Sequence, residues 1–159
     1  MAQTKPFTWY GYDDAPAFAG MKADNSVDVC DSFASEGGVN PGDVVVRGTD
    51  TQKQCKVPAA VTSTDTILGI AVHVHREPPE QGAAYYEDGY VLPVMSFGDI
   101  YVVAGGDVKA GDPVAVTIDK GKVTYSKGTK SDSENTIVPG LTFLDDGAKD
   151  DLVRVRVRL

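Results

Sequence analysis

His73 and His75 are one residue apart, so on a strand both imidazoles would stand on the same side, as in a His-X-His metal pair. Cys30 and Cys55 would bring the set to four zinc ligands. Against this, the chain has no Cys-X-X-Cys and no helical His pair, and the four would come from an irregular segment and two strands. Histidines on a polar strand face, at the rim of a loop, fit better, and no metal is expected. Asp145, Asp146, Asp150 and Asp151 gather near one turn, without the acidic spacing, central Gly and terminal Glu of an EF-hand. They read as a solvated acidic loop facing nearby arginines. Arg154, Arg156 and Arg158 alternate with Val153, Val155, Val157 and Leu159, which puts three guanidinium groups on one strand face. Cross-strand pairing with Asp or Glu is the expected fate, each exposed pair worth about a few tenths of a kcal/mol. The functional version is a bidentate grip on carboxylates of a partner protein.

No Gly-X-Ser-X-Gly elbow, phosphate-cradling glycine loop, dinucleotide fingerprint or His-Glu-X-X-His occurs, and no Met-Lys-Met marks a biotin or lipoyl carrier. The chain therefore reads as not an enzyme, with no catalytic residue and no cofactor. A net charge of −8 disfavours nucleic-acid phosphates and anionic membranes as main partners, since both would repel it. No apolar run approaches the length of a membrane span, and Met1 to Tyr10 lacks the apolar core of a secretory signal. Two cysteines make no disulfide framework, and reduced thiols are expected.

These residues need elements to hold them, and the signals are almost wholly β. Seventeen Gly and nine Pro among 159 residues suit many short strands joined by tight turns. Gly111 to Thr124 predicts a hairpin: a Gly-Asp lead, a β-branched run, a Lys120-Gly121 turn, then alternation around Val123. Gly42-Asp43 leads into Val44-Val45-Val46 in the same way, and similar runs follow each lead, which predicts two weakly similar β units in tandem. Further strands are expected over Val44–Arg47, Gln54–Val57, Ile67–His75, Val91–Met95, Ile100–Val103, Ile137–Leu144 and Leu152–Leu159, about nine in all. Residues 39–159 thus form an all-β domain, a small β-barrel or jelly-roll-like sandwich. Residues 1–38 read as an extended N-terminal arm, because Phe7, Trp9, Tyr10, Tyr12 and Phe18 show neither helical nor strand period. Those aromatics need a surface to cover them, on the same domain or on a neighbouring molecule. Arg76 to Gly89 is a polar loop carrying Pro78-Pro79. The five arm aromatics, with Arg76, Glu77, Pro78, Pro79 and Glu80, are the expected partner contacts, since rigid aromatic anchors and exposed loops carry interface energy.

One succession of motifs points to a family. Pro41-Gly42-Asp43-Val44-Val45-Val46, Leu68-Gly69-Ile70-Ala71-Val72 and Gly89-Tyr90-Val91-Leu92-Pro93-Val94 come in that order. Gly98-Asp99-Ile100-Tyr101-Val102, Val108 to Val114, Val138-Pro139-Gly140-Leu141 and the valine-rich end complete the series. The chain from about Ala15 to Leu159 resembles the structural cement, or capsid decoration, proteins of tailed bacteriophages, and Ala15-Pro16-Ala17-Phe18-Ala19-Gly20 looks like their opening. The long Arg76 to Gly89 loop does not match that pattern. The resemblance implies a protein of the outer capsid surface that binds the major capsid protein as a homo-oligomer, a trimer before a dimer. It would cement neighbouring subunits and stabilise the expanded head by multivalent adhesion. The alternative is a β-sandwich module on a phage fibre or cell surface recognising glycan or a host receptor, with Tyr85, Tyr86 and Tyr90 stacking on sugar rings.

Overall fold

The structure is a computed structural model and describes residues 17–62, 66–76, 79–128 and 136–159. Runs of Val, Ile and Thr form nine strands: β1 Val29–Ser35, β2 Val44–Arg47, β3 Gln54–Lys56, β4 Ile67–Ala71, β5 Val91–Val103, β6 Pro113–Asp119, β7 Lys122–Lys127, β8 Thr136–Phe143 and β9 Leu152–Arg158. Among the described residues no helix forms. The strands are hydrogen-bonded in the order β1-β3-β2-β4-β5-β9-β8-β6-β7, and β1 also pairs with β5. That last pairing closes five strands into a barrel and removes their edges.

β5 belongs to both parts of the molecule. Its first half runs antiparallel to β1, from Phe97 opposite Val29 to Val91 opposite Ala34. Its second half runs antiparallel to β9, from Phe97 opposite Arg158 to Val103 opposite Leu152. β8, β6 and β7 continue from β9, and a bridge between Ala104 and Tyr125 curls this second unit back onto the end of β5. Two strands separated at Ser96–Asp99 were expected here; one strand of 13 residues is found. Phe97 and Gly98 stay extended because β9 supplies partners for both.

A strand also lies inside the segment read as an arm. β1 spans residues 29–35, so the boundary at residue 38 does not divide the sheet. Just before it, Gly20 to Ala23 runs along β5: Gly20 N–H donates to the Tyr101 carbonyl (2.8 Å) and Ala23 N–H to that of Asp99 (2.9 Å). β4 is shorter than expected. It ends at Ala71, and the next N–H groups turn to Pro93 (from Val72, 2.9 Å) and Gly20 (from His73, 2.7 Å).

One turn recurs three times, ahead of β2, β6 and β9. In Asn40–Asp43, Lys109–Asp112 and Ala148–Asp151 the first N–H donates to the aspartate carboxylate, at 2.8, 3.0 and 2.8 Å. The aspartate N–H returns a bond to the first carbonyl, at 3.1, 3.0 and 3.1 Å. The third position needs a positive φ, which Gly42 (87°), Gly111 (89°) and Asp150 (70°) adopt. Its N–H donates to the end of a neighbouring strand, at Ala71, Phe143 and Ala104 respectively. The first two copies are the Gly-Asp leads seen in the sequence. The third lacks that signature because Asp150 stands in the glycine's place.

Successive residues in a strand face opposite sides, and the central strands bury both. Val44, Ile70 and Met95 enter the larger apolar cluster, together with Val153, Val155 and Val157 of β9. Their neighbours Val45, Ala71 and Val94 enter a smaller one with Val39, Cys55, Tyr86 and Leu92. Burial on both faces explains the unbroken apolar runs of β2 and β4. Gly69 lets β4 approach β5 closely, since a Cβ there would stand 2.1 Å from the Met95 carbonyl oxygen.

Candidate functional site

Past Ala71 the chain leaves the sheet, and the loop that follows folds back on it. Tyr86 is the root of this arrangement. Its ring is buried in the smaller cluster, its N–H and carbonyl pair with Val39 (2.8 and 2.9 Å), and its hydroxyl donates to the Val72 carbonyl. The same hydroxyl accepts the Val74 N–H at 3.1 Å. Tyr85 stands edge-on to Tyr86 with ring centroids 5.1 Å apart, donates its hydroxyl to the Val74 carbonyl (2.8 Å) and its N–H to Asn40 Oδ1 (2.9 Å). His73 then sits between Tyr85 (5.0 Å) and Phe18 (4.3 Å). Desolvation, with His75 beside it as a second cause, holds the His73 imidazole below its ordinary pKa. Arg76 lies 3.8 Å from the Tyr90 ring centroid and 5.5 Å from that of Tyr85, and donates to the Tyr85 carbonyl at 2.6 Å.

The result is a strip of Phe18, His73, Tyr85, Arg76 and Tyr90 across the first β unit. Phe18 is 47% exposed and Tyr90 45%, while Tyr85 and Arg76 are tied to backbone groups and His73 is packed between two rings. Pre-ordered aromatic side chains with one arginine have the composition of an interface hot spot, because little rotamer freedom remains to be lost on binding.

The other candidates are consumed inside the fold. Arg154 grips Asp145 with Nε and Nη2 (2.9 and 2.6 Å), and Arg156 grips Asp99 in the same two-pronged way (2.9 and 2.9 Å). The Arg154 hydrogen bond holds the Asp145 carboxyl below its ordinary range. Arg156 thus pairs across the sheet with Asp99 of β5, as expected, and Arg154 with Asp145 in the turn between β8 and β9, which accounts for two of the three arginines. Arg158 is exposed and meets no carboxylate among the described residues. In the acidic cluster Asp146 accepts the Ala110 N–H (2.8 Å), and Asp151 closes the third turn. Cys55 is buried in β3 with its thiol pushed up to about 11 by burial, Cys30 is half-buried in β1, and both are free thiols. Among the described residues no group of three or more His, Cys, Asp or Glu is placed to hold a metal. Asp43 is a carboxyl that burial pushes up to about 6, and its role in the fold is to close a turn.

Of the expected contact residues, Phe7, Trp9, Tyr10, Tyr12, Glu77 and Pro78 lie outside the described residues. Phe18 and Arg76 come together on the strip. Pro79 is half-buried and Glu80 exposed, on the loop that carries Arg76 and Tyr85. The tyrosines considered for sugar stacking need correction. Tyr86 is buried because it anchors the loop, and Arg76 covers one face of Tyr90. Tyr85 and Tyr90 were expected together only as sugar-stacking residues, and their union with His73, Phe18 and Arg76 was not expected. Their types were visible in the sequence, but the fold-back that unites them was not.

A body of linked β units with a pre-ordered aromatic surface defines an all-β module suited to protein contact. The chain matches, over residues 6–158, the family described as structural cement protein (E217 gp24/Pam3 gp6), and it belongs to that family. A chain of the solved structure titled "The capsid of Myoviridae Phage XM1" is similar in fold, with a TM-score of 0.68 at 19% identity. The likeness covers 99% of this chain and 98% of that one. No curated protein sequence matches it. The protein has a structural role in a phage capsid and belongs to the virion capsid.

Proposed function

We propose that this protein binds the outer surface of the phage head and cements neighbouring major capsid protein subunits, stabilising the expanded shell. The family match over residues 6–158 carries the reading, and the Phe18–His73–Tyr85 strip with Arg76 and Tyr90 supports it. The role is adhesive and involves no catalysis. The protein acts as a homo-oligomer, a trimer before a dimer, so that several modest contacts act together and oppose separation of the shell subunits. Nucleic acid and membrane are not its partners, in keeping with a net charge of −8.

Purified protein mixed with undecorated, expanded heads tests this directly by electron microscopy. Regular density at fixed lattice positions is expected, with heads that survive heating better than bare ones. Phe18→Ala with Tyr90→Ala should weaken decoration about tenfold or more at unchanged melting temperature, as removal of two anchors does. Heads that stay bare in the presence of wild-type protein would overturn the cementing role.

A further inference from the structure

Cementing, on which the following rests, requires contact with more than one neighbour, and the aromatic strip lies on the first β unit alone. A second surface occupies the place where β5 crosses from the barrel to β9. Val29, Phe97 and Arg158 stand directly opposite one another on β1, β5 and β9, and so form one cross-strand row on a common face. Beside them opens a cleft of roughly 250 Å3 lined by Ser26, Val27, Phe97, Gly98, Arg156 and Arg158 among others. Exposed apolar side chains lie in and next to it: Val27 (80% exposed) and Phe97 (41%) in its lining, Val29 (47%) opposite Phe97, and Leu159 (44%) following Arg158. Two positions along β5 and β9 on the same face, Asp99 neutralises Arg156 at 2.9 Å. Arg158 is left with its guanidinium exposed and without a carboxylate among the described residues.

We infer that this cleft is a second docking face, which takes a segment of a capsid protein bearing an apolar side chain next to an Asp or Glu. The apolar group fills the space between Val27 and Phe97, and the carboxylate accepts two N–H groups of Arg158. Charge argues for this occupant. The molecule carries −8 and repels acidic segments over most of its surface, so an unpaired guanidinium in an apolar setting admits one here and sets its position. At roughly 250 Å3 the cleft has room for little more than a side chain and its flanking group, which fits a short protruding segment of a partner.

The test uses the full chain and undecorated, expanded heads as the probe. Val27→Asp and Arg158→Glu alter exposed side chains, and their melting temperatures should equal wild type. Both should decorate heads about tenfold or more weakly, while Arg158→Lys, which keeps charge but loses the two-pronged grip, should fall between. Decoration by Val27→Asp and Arg158→Glu equal to wild type would overturn the docking face and leave the cementing role standing. Failure of wild type to decorate would overturn the cementing role and this face with it. Loss of oligomer in sedimentation by the same variants would assign the cleft to a second copy and refute the capsid-protein occupant.

Discussion

Replacing Asp43 by asparagine should make the protein more stable at pH 8 and leave it little changed at pH 4. Asp43 closes the turn ahead of β2, accepting the Asn40 N–H at 2.8 Å, and burial pushes its carboxyl from 3.8 up to about 6. Tyr125, on β7, has its hydroxyl pKa raised first by burial and then by the nearby Asp43 charge. Lys120 and Lys122, at the tip of the β6–β7 hairpin, line a cleft with Asp43 and Tyr125, yet the burial penalty on Asp43 prevails. A carboxyl with a raised folded pKa binds its proton more tightly in the native state than in the unfolded chain. Stability from this group is therefore present in full below about pH 4 and is lost as pH rises through 6. From 3.8 to about 6, at about 1.36 kcal/mol per pH unit, the loss is about 3 kcal/mol. Asparagine keeps an oxygen for the Asn40 N–H and carries no charge, so the variant should lose this dependence. Urea unfolding of both proteins at pH 4, 6 and 8 measures it. An Asp43→Asn variant that loses as much stability at pH 8 as at pH 4 would refute the reasoning, since the charged hydrogen bond would then outweigh desolvation.

Three further outcomes follow from packing and pairing. Gly69→Ala drives a Cβ to 2.1 Å from the Met95 carbonyl and should cost about 2–4 kcal/mol in thermal or urea unfolding, whereas Gly106→Ala, with open space around it, should change stability by less than about 0.5 kcal/mol. Tyr86→Phe removes the buried hydroxyl that joins Val72 and Val74, and should lower stability by about 1–2 kcal/mol and speed proteolysis of the 76–90 loop. Arg156→Gln strands the Asp99 carboxylate, whose side chain is 8% exposed, and should lower the melting temperature; adding Asp99→Asn should restore much of the loss, and a double variant no better than the single would refute the pairing.

Local chemistry was open to reading from the sequence, because its causes lie within a few residues. The alternation of Val153 to Leu159 places valines inside and arginines outside, as β9 does. Lys120-Gly121, both at positive φ, turns the β6–β7 hairpin as expected. The Gly-Asp leads became two of the three aspartate-closed turns, and the all-β class with a barrel follows from the same strand and turn signals. β1 was hidden because Cys30-Asp31-Ser32 has no strand pattern of its own and is held extended by β5, some sixty residues further on. The continuity of β5 through Ser96–Asp99 was hidden for the same reason, since β9 supplies its partner.

By itself, the sequence determined most of the strands and turns, which faces are apolar, and the family order of motifs, since each depends on neighbouring residues. Tertiary structure alone decided that Arg156 is spent on Asp99 and Arg154 on Asp145 while Arg158 meets no carboxylate among the described residues. It also decided that Tyr86 goes inward while Phe18, His73, Tyr85, Arg76 and Tyr90 assemble into a surface. These outcomes rest on contacts between segments far apart in the chain, which no local pattern of residue types encodes.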